Sequence, residues 1–277
     1  MKNIFAGHAN SYHGFDFEQT LDGISKAGFK YIELAAVLNW TEHVMAFMSD
    51  EVLAEKRKLM EKYGISAIGL SGHCNLMEEQ RLADFEQNIE LASKMGCQYI
   101  ITSTGEAHFG KDEAFADDVL ANNIKRLLPT LEKFNQKLVL ELHGIYSTGE
   151  AMSRVVRKVD SPLVGINYDT ANVLFYGDKL PTDDIKCCVD LVQYVHLKDK
   201  VGGKGVWNFP GTGNGELPLK EFMEYMDDHN FTGPYSIEIE FTEDFCMRDK
   251  DQPGDIDIAN KEMADSYRYL KSLGRVE

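Results

Sequence analysis

The sequence predicts an α/β fold, a single (β/α)8 TIM barrel that spans residues 1–277 as one domain. Three observations predict it. Short apolar segments recur eight times along the chain, at intervals of about 25 to 40 residues. Stretches with helical periodicity lie between them, and several of these stretches end at a glycine just before the next apolar segment. Strands that alternate with helices form a parallel sheet, and eight such strands close into a barrel.

The predicted strands are apolar runs rich in residues that favour β structure. In chain order they are Ile4–His8, Tyr31–Ala35, Ala67–Ser71, Tyr99–Ser103, Leu138–Glu141, Val164–Tyr168, Gln193–Leu197 and Tyr235–Glu240. A doubly wound open sheet is the alternative, but no GxGxxG motif follows the first strand. The closed barrel is therefore the better interpretation.

The segments between the strands carry their apolar side chains on one face, as amphipathic helices do. The predicted helices are Glu51–Tyr63, Asp84–Met95, Ala114–Phe134, Leu219–Asp228 and a last one around Asn260–Leu273. Glycine is a common residue at the carboxyl end of a helix, and Gly28, Gly64 and Gly96 each end such a segment. The pattern contains no linker or domain break.

Composition excludes several classes of function. The net charge is −16 and no basic run offsets it, which argues against a nucleic-acid partner. No apolar segment approaches the length of a membrane span, and the first residues lack the apolar stretch of a signal peptide. The five cysteines include no CxxC pair, so we expect reduced thiols and no thiolate metal site. We expect a cytoplasmic protein without a membrane partner.

A barrel of this kind carries its chemistry at the carboxyl ends of the strands. The segment LVLELHG (138–144) places Glu141 and His143 inside an apolar run, where an unpaired carboxylate is costly. Alternation along a strand puts both side chains on the same face. Other polar side chains also lie near strand ends, among them Glu33, His73 and Glu106. The sequence therefore predicts a polar site at the mouth of the barrel.

Four residues of metal-ligand type come from four successive strands and are expected to converge near the barrel axis: Glu141, Asp169, His196 and Glu238. A single strand-end acid is more often a helix cap or a surface ion pair, but four in corresponding positions are hard to explain in that way. Three carboxylates and one imidazole suit a hard divalent ion. We expect Mn²⁺, with Mg²⁺ and Co²⁺ as alternatives. Open coordination positions would let the ion polarise substrate oxygens.

The same motifs carry a resemblance to a known family. The segments LELHG, NYDTAN, VHLKD and SIEIE, with the stretches between them, resemble the xylose-isomerase-like sugar phosphate isomerase/epimerase superfamily over roughly residues 4–241. The resemblance implies the same barrel and the same four metal ligands. It favours Glu238, the first acid of SIEIE, over Glu240, whereas spacing alone leaves that choice open.

The resemblance also implies an activity. In members that isomerise or epimerise ketoses, two metal-bound glutamates exchange a proton with the carbon next to the carbonyl, through an enediolate. This chain is accordingly expected to be a divalent-metal-dependent isomerase or epimerase of carbohydrate metabolism, with Glu141 and Glu238 as catalytic residues. Such chemistry needs a positioned base and a cation near the developing oxyanion.

Two departures from the ketose epimerase pattern favour an alternative. Asn172 stands where those members have a histidine, and no arginine follows His196. His143 offers a further base and resembles a branch that acts on 3-keto-sugars, which includes inosose dehydratases and C-glycoside deglycosidases. The alternative is therefore a metal-dependent lyase that eliminates a group after the same first step. A barrel that binds a sugar without catalysis is disfavoured by the complete ligand set.

Further side chains are expected to contact a small-molecule carbohydrate substrate: Glu33, His73, Asn172, Lys198 and Trp207. For Lys198 a structural ion pair is the alternative, and His73 is a second candidate acid or base. The glycine-rich segment 202–215 is expected to be a mobile loop over the site, with Trp207 as a stacking surface, and Trp40 is expected to line the pocket. A homo-oligomer or a small accessory subunit is compatible with the sequence.

Overall fold

A computed structural model of the chain describes residues 3–104, 114–240 and 255–277. Eight parallel strands close into a barrel in chain order, with the last strand paired to the first. In chain order the strands are β1 (Phe5–His8), β2 (Tyr31–Ala35), β3 (Ser66–Ser71), β4 (Tyr99–Thr102), β5 (Lys137–Glu141), β6 (Val164–Asp169), β7 (Val192–His196) and β8 (Tyr235–Ile237). The predicted fold class is confirmed. Glu106 lies outside the described residues.

The observed strands agree with the predicted ones to within a residue or two, except at β8. This strand ends at Ile237, although the predicted run continued to Glu240. Beyond Ile237 the chain leaves its pairing with β1, because Glu240 forms an antiparallel bridge with Phe209 instead. Glu238 therefore lies just beyond the end of the last strand.

Helices cover the outside of the barrel. In chain order they are α1 (Phe17–Ala27), α2 (Asp50–Lys62), α3 (Leu82–Lys94), α4 (Asp117–Phe134), α5 (Gly149–Val159), α6 (Asn172–Phe175), α7 (Pro181–Asp184), α8 (Leu219–Asp228) and α9 (Ile256–Ser272). Helix α1 begins with a capping box, in which Asp16 and Gln19 each accept a hydrogen bond from the other's backbone N–H. Among the described residues, no helix combines the length and the apolar character that a bilayer span requires.

The inside of the barrel is apolar further from the mouth and polar at the mouth, where the carboxyl ends of the strands lie. Ala6, Val139 and Tyr194 belong to a small buried cluster that is separate from the main core between sheet and helices. The residues two positions further along each strand are His8, Glu141 and His196. Because side chains on one face of a strand recur every second residue, these polar groups stand directly above the apolar layer.

The loop between β2 and α2 is held against the start of α1 by His43. This imidazole is 6% exposed, and its Nε2 lies 3.0 Å from the carbonyl oxygen of Phe15. Its Nδ1 is buried and has no hydrogen-bond partner in the part of the chain that the structure describes. Burial lowers the pKa of His43 to about 4, so the folded protein holds this ring neutral at physiological pH.

His43 should make the protein less stable in mild acid. The unfolded chain binds a proton at His43 below about pH 6.5 and the folded chain does so only near pH 4, so stability falls as the pH drops between these values. We expect the difference in free energy of unfolding between wild type and His43→Gln to shrink by about 2 kcal/mol from pH 7.5 to pH 5. Urea unfolding at both pH values measures it.

The same pair of proteins at pH 8.5 provides the control, since His43 is neutral in both the folded and the unfolded chain at pH 7.5 and above. A difference that stays constant from pH 8.5 down to pH 5 would contradict the prediction.

Candidate metal centre

Four side chains from four neighbouring strands meet at the mouth of the barrel. Nδ1 of His196 lies 3.4 Å from Glu141 Oε1, 3.3 Å from Glu238 Oε2 and 3.9 Å from Asp169 Oδ2. One ligand atom from each residue lies within 4.8 Å of every other. All four residues are buried. The structure thus brings together the four residues that the sequence singled out as metal ligands.

Three of these ligand atoms lack a hydrogen-bond partner among the described residues. They are Asp169 Oδ2, His196 Nδ1 and Glu238 Oε2, and all three are buried. Buried polar atoms are nearly always paired, because an unpaired one loses its hydration without compensation. A divalent cation between them would satisfy all three at once. The donor set of three carboxylates and one imidazole also fits such an ion.

The electrostatics of the cluster also favour a bound cation. Burial, together with the charges of Glu238 and Glu141, raises the pKa of Asp169 to about 7. Burial opposes the charged form of His196, but the carboxylates of Glu33 and Glu238 outweigh it and hold the pKa of His196 well above its ordinary value. The cluster therefore binds protons when no cation neutralises it. A divalent ion would replace those protons.

Asn172 supports two of the candidate ligands from behind. Its side-chain amide donates to Glu141 Oε1 at 3.2 Å and to the Leu142 carbonyl at 3.0 Å. Its backbone N–H donates to Asp169 Oδ1 at 2.7 Å. Asn172 is 3% exposed, so its side chain is engaged with the protein, whereas the sequence led us to expect a contact with substrate. The geometry favours an orienting role.

Asn10, which the sequence analysis did not identify, holds the third carboxylate of the cluster, that of Glu238. Its side-chain amide donates to Glu238 Oε1 at 3.3 Å, and its oxygen accepts from Trp40 Nε1 at 3.0 Å and from the Thr41 hydroxyl at 2.8 Å. The Trp40 ring stacks on His13 with centroids 3.9 Å apart. Trp40 is thus linked to the site through the side chain of Asn10, and its place in the lining of a substrate pocket stays a prediction.

Lys198 is buried in an ion pair, one of the two roles expected for it. Its ammonium contacts the carboxylate of Glu240 and lies 3.5 Å from Glu238 Oε2 and 4.0 Å from Asp169 Oδ2. Burial alone lowers the pKa of Lys198, but the three carboxylates raise it well above its usual value. Lys198 is therefore a fixed positive charge at the site, and Glu240 is its partner.

His143 and His73 lie at the rim of the cluster. Nε2 of His143 is 3.1 Å from the hydroxyl of Tyr176, which follows helix α6 and which the sequence analysis missed. Tyr176 lies four residues after Asn172, a spacing that places both on one side of a helical turn. Nε2 of His73 is 3.5 Å from Glu141 Oε2, and its side chain is 27% exposed. Both histidines could meet a molecule that enters the mouth.

Glu33 lies deeper than expected. Its residue is fully buried, and its carboxylate accepts hydrogen bonds from Ser71 and Tyr194 at 2.7 and 2.8 Å. Nε2 of His196 lies 3.1 Å from both of its oxygens. The sequence led us to expect a contact between Glu33 and substrate hydroxyls, but the geometry places this carboxylate beneath the cluster.

The glycine-rich loop after β7 is closely tied to the barrel. The carboxylate of Asp199 accepts hydrogen bonds from four backbone N–H groups of this segment, those of Lys200, Gly213, Gly215 and Leu217. Phe209 is buried against Glu240, and Trp207 packs edge-on against Phe209 at 5.1 Å. The loop thus has many internal hydrogen bonds, and Trp207 is half-buried on it. Its mobility and the stacking role of Trp207 stay predictions.

Comparison with known proteins places this chain in a family. The model of the xylose isomerase-like TIM barrel family matches residues 21–273. An inosose dehydratase from Geobacillus kaustophilus (strain HTA426) is 28% identical over 162 residues, which covers 52% of this chain and 52% of that protein. The chain thus spans about half the length of the curated relative that it matches.

Solved structures have the same fold over nearly the whole chain. A D-psicose 3-epimerase in the presence of D-fructose aligns with a TM-score of 0.77, at 19% identity, over 99% of both chains. A xylose isomerase-like TIM barrel protein from Mycobacterium smegmatis in complex with magnesium aligns with a TM-score of 0.74, at 14% identity, over 99% of this chain and 98% of that one. At such identities the likeness concerns the fold alone.

Glu238 and Glu240 should differ in their importance for metal binding. Glu238 Oε2 faces His196 Nδ1, whereas Glu240 is paired with Lys198. We expect Glu238→Gln to weaken Mn²⁺ binding by roughly 100-fold or more, because it removes one ligand, and Glu240→Gln to weaken it by less than about tenfold. Isothermal titration calorimetry on metal-stripped protein measures both, and equal losses would contradict the assignment.

Proposed function

The chain belongs to the xylose isomerase-like TIM barrel family, and from that premise we propose that it is a divalent-metal-dependent enzyme acting on a sugar or keto-sugar. Its reaction would begin with removal of a proton from the carbon next to a carbonyl group. Reprotonation on another face or another atom would complete an epimerisation or isomerisation. The observation that carries this proposal is the convergence of Glu141, Asp169, His196 and Glu238 with three unpartnered ligand atoms.

In this proposal the metal is held by the four residues of the cluster, and two of them also transfer protons. When bound, the ion would supply positive charge for the oxyanion that develops on the substrate. Glu141 ends β5 and Glu238 directly follows β8, and their carboxylates lie 3.4 and 3.3 Å from His196 Nδ1. A substrate bound at the cluster would have one carboxylate to remove a proton and another to return it.

Lys198 and Asn172 would set the charge and orientation of these carboxylates. The Lys198 ammonium lies 3.5 Å from Glu238 and favours its ionised form, which is the form that accepts a proton. The Asn172 amide fixes the direction of Glu141. Neither side chain needs to leave its protein partners for this role.

The lysines of this region favour a substrate without phosphate. Lys198 is paired with Glu240, and Lys200 is fully buried, with its ammonium donating to the carbonyl of Val206. Neither ammonium is therefore open to a phosphate group that enters the mouth. An unphosphorylated sugar fits this arrangement better.

Metal removal and solvent exchange test the proposal. Incubation with ketoses or 3-keto-glycosides in deuterium oxide should place deuterium at the carbon next to the carbonyl, as read by NMR. Chelation should abolish the exchange, and Mn²⁺ should restore it, because proton removal needs the cation. Glu141→Gln should slow the exchange by about 100-fold or more.

Glu240→Gln is the matched control, because its carboxylate is outside the four-residue cluster. It should retain exchange within about tenfold of wild type. Undiminished exchange after complete metal removal would contradict the proposal.

A metal-dependent lyase is the second candidate, and two observations favour it. His143 lies 3.1 Å from the hydroxyl of Tyr176, which makes a hydrogen-bonded pair beside the cluster. The curated relative is an inosose dehydratase. In an elimination, a glutamate would take the proton next to the carbonyl and the C–H electrons would form a C=C bond. The bond to the leaving group would break at the adjacent carbon, and His143 would protonate the departing oxygen.

Tyr176→Phe separates these two functions. If the protein is a lyase, the variant should release the leaving group at least tenfold more slowly, because the hydrogen bond between the Tyr176 hydroxyl and His143 is lost. Deuterium exchange next to the carbonyl should stay within about threefold of wild type. Both rates are measured on the same 3-keto-glycoside, so exchange serves as the internal control. Equal effects on both rates, or no release by wild type, would exclude the lyase.

A further inference from the structure

A second buried network lies directly beneath the candidate metal centre, and Glu33 is at its centre. Oε1 of Glu33 accepts from the Ser71 hydroxyl at 2.7 Å and lies 3.1 Å from Nε2 of His8. Oε2 accepts from the Tyr194 hydroxyl at 2.8 Å. Nε2 of His196 lies 3.1 Å from both oxygens. Four side chains from three strands thus point their donors at one carboxylate.

The orientation of His8 is fixed by the backbone. The N–H of Asn10 donates to Nδ1 of His8 at 2.9 Å, so this nitrogen is an acceptor and carries no proton. The remaining proton of His8 is then on Nε2, which faces Glu33. The rings of His8 and His196 meet edge to face with centroids 5.0 Å apart. Two imidazoles therefore share one carboxylate as their acceptor.

We propose that Glu33 is the positioning residue that selects the metal-binding tautomer of His196. Holding the proton on Nε2 leaves the lone pair on Nδ1, and Nδ1 is the atom that faces Glu141, Asp169 and Glu238. His8 keeps the Glu33 carboxylate in place from the other side. The inference rests on the proposed metal centre and assigns to Glu33 a role different from contact with substrate.

Only a carboxylate suits this position. An ionised carboxylate accepts at both oxygens and donates from neither, so it accommodates His8, His196 and Tyr194 together. A glutamine side chain would place an NH₂ group where one of these oxygens lies. In place of Oε1 the NH₂ group would face the donors of His196 and His8, and in place of Oε2 it would face those of His196 and Tyr194. The simplest relief is for His196 to move its proton to Nδ1, which removes the lone pair that faces the cluster.

Burial excludes water from the hydrogen bonds around Glu33. Glu33 and His196 are each 0% exposed and His8 is 2% exposed, so water cannot replace a lost acceptor. In proteins whose histidine ligands depend on such partners, removal of the partner typically weakens metal binding about 10- to 100-fold. The strand register places His8 and Glu33 at the same level of the barrel, because the two residues are paired across β1 and β2.

Glu33→Gln, which keeps the size of the side chain, tests the inference. Calorimetric titration of the metal-stripped variant with Mn²⁺ should show affinity about 10- to 100-fold below wild type, with one ion bound by wild type. Tyr194→Phe and Ser71→Ala are matched controls, because each removes a single donor to Glu33 and leaves the carboxylate in place. Both should bind Mn²⁺ within about threefold of wild type.

Nitrogen-15 NMR of histidine-labelled protein gives a second readout that folding alone does not move. With Mg²⁺ bound, wild type should show a proton on Nε2 of His196 that exchanges slowly with solvent and no proton on Nδ1. In Glu33→Gln the Nε2 proton signal of His196 should be lost or moved to Nδ1.

The outcomes separate this inference from the proposed function. Wild type that fails to bind any divalent ion overturns both. Wild type that binds one ion, with Glu33→Gln within about threefold of it, overturns the role of Glu33 alone. A proton on Nδ1 of His196 in the Mg²⁺-bound wild type overturns it too, even if the variant does not fold. Two ions per chain, the second held by His8, His196 and Glu238, would also overturn it.

Discussion

The structure depends on the concentration of negative charge that it buries at the barrel mouth. Glu33, Glu141, Asp169 and Glu238 are each at most 6% exposed, and Lys198 contributes one permanent positive charge beside them. Like charges in a region that water cannot reach repel one another strongly. Donors from side chains and backbone reduce that repulsion, and the shared face of Glu141, Asp169 and Glu238 is where a cation would reduce it further.

The barrel stabilises this arrangement because it holds each charged group at or near the end of a strand. Parallel register sets Asp169 beside His196 and His8 beside Glu33. Below them, Ala6, Val139 and Tyr194 pack in the barrel interior and support the polar layer. Around them, Asn10 and Asn172 fix the carboxylates of Glu238 and Glu141. The side chains of the site are thus held by contacts within the protein itself.

Much of the fold could be predicted from the sequence, because its signals are local. Apolar runs and helical periodicity report burial of one face, and the glycines at 28, 64 and 96 report helix ends. The prediction failed where a distant contact decided the structure. The last strand stops at Ile237 because Glu240 pairs with Phe209 in the loop after β7. This contact has no signature in nearby residues.

The candidate site divides in the same way. The sequence by itself determined that Glu141, Asp169 and His196 would meet an acid of SIEIE, since strand alternation and position at a strand end fix where these side chains point. The choice of Glu238 over Glu240 came from the family resemblance. Only the tertiary structure decided what surrounds them: Glu33 beneath His196, Asn10 behind Glu238, and Tyr176 against His143. The physical reason is that a strand's direction is a property of its own backbone, whereas a hydrogen bond depends on a partner that can lie more than a hundred residues away.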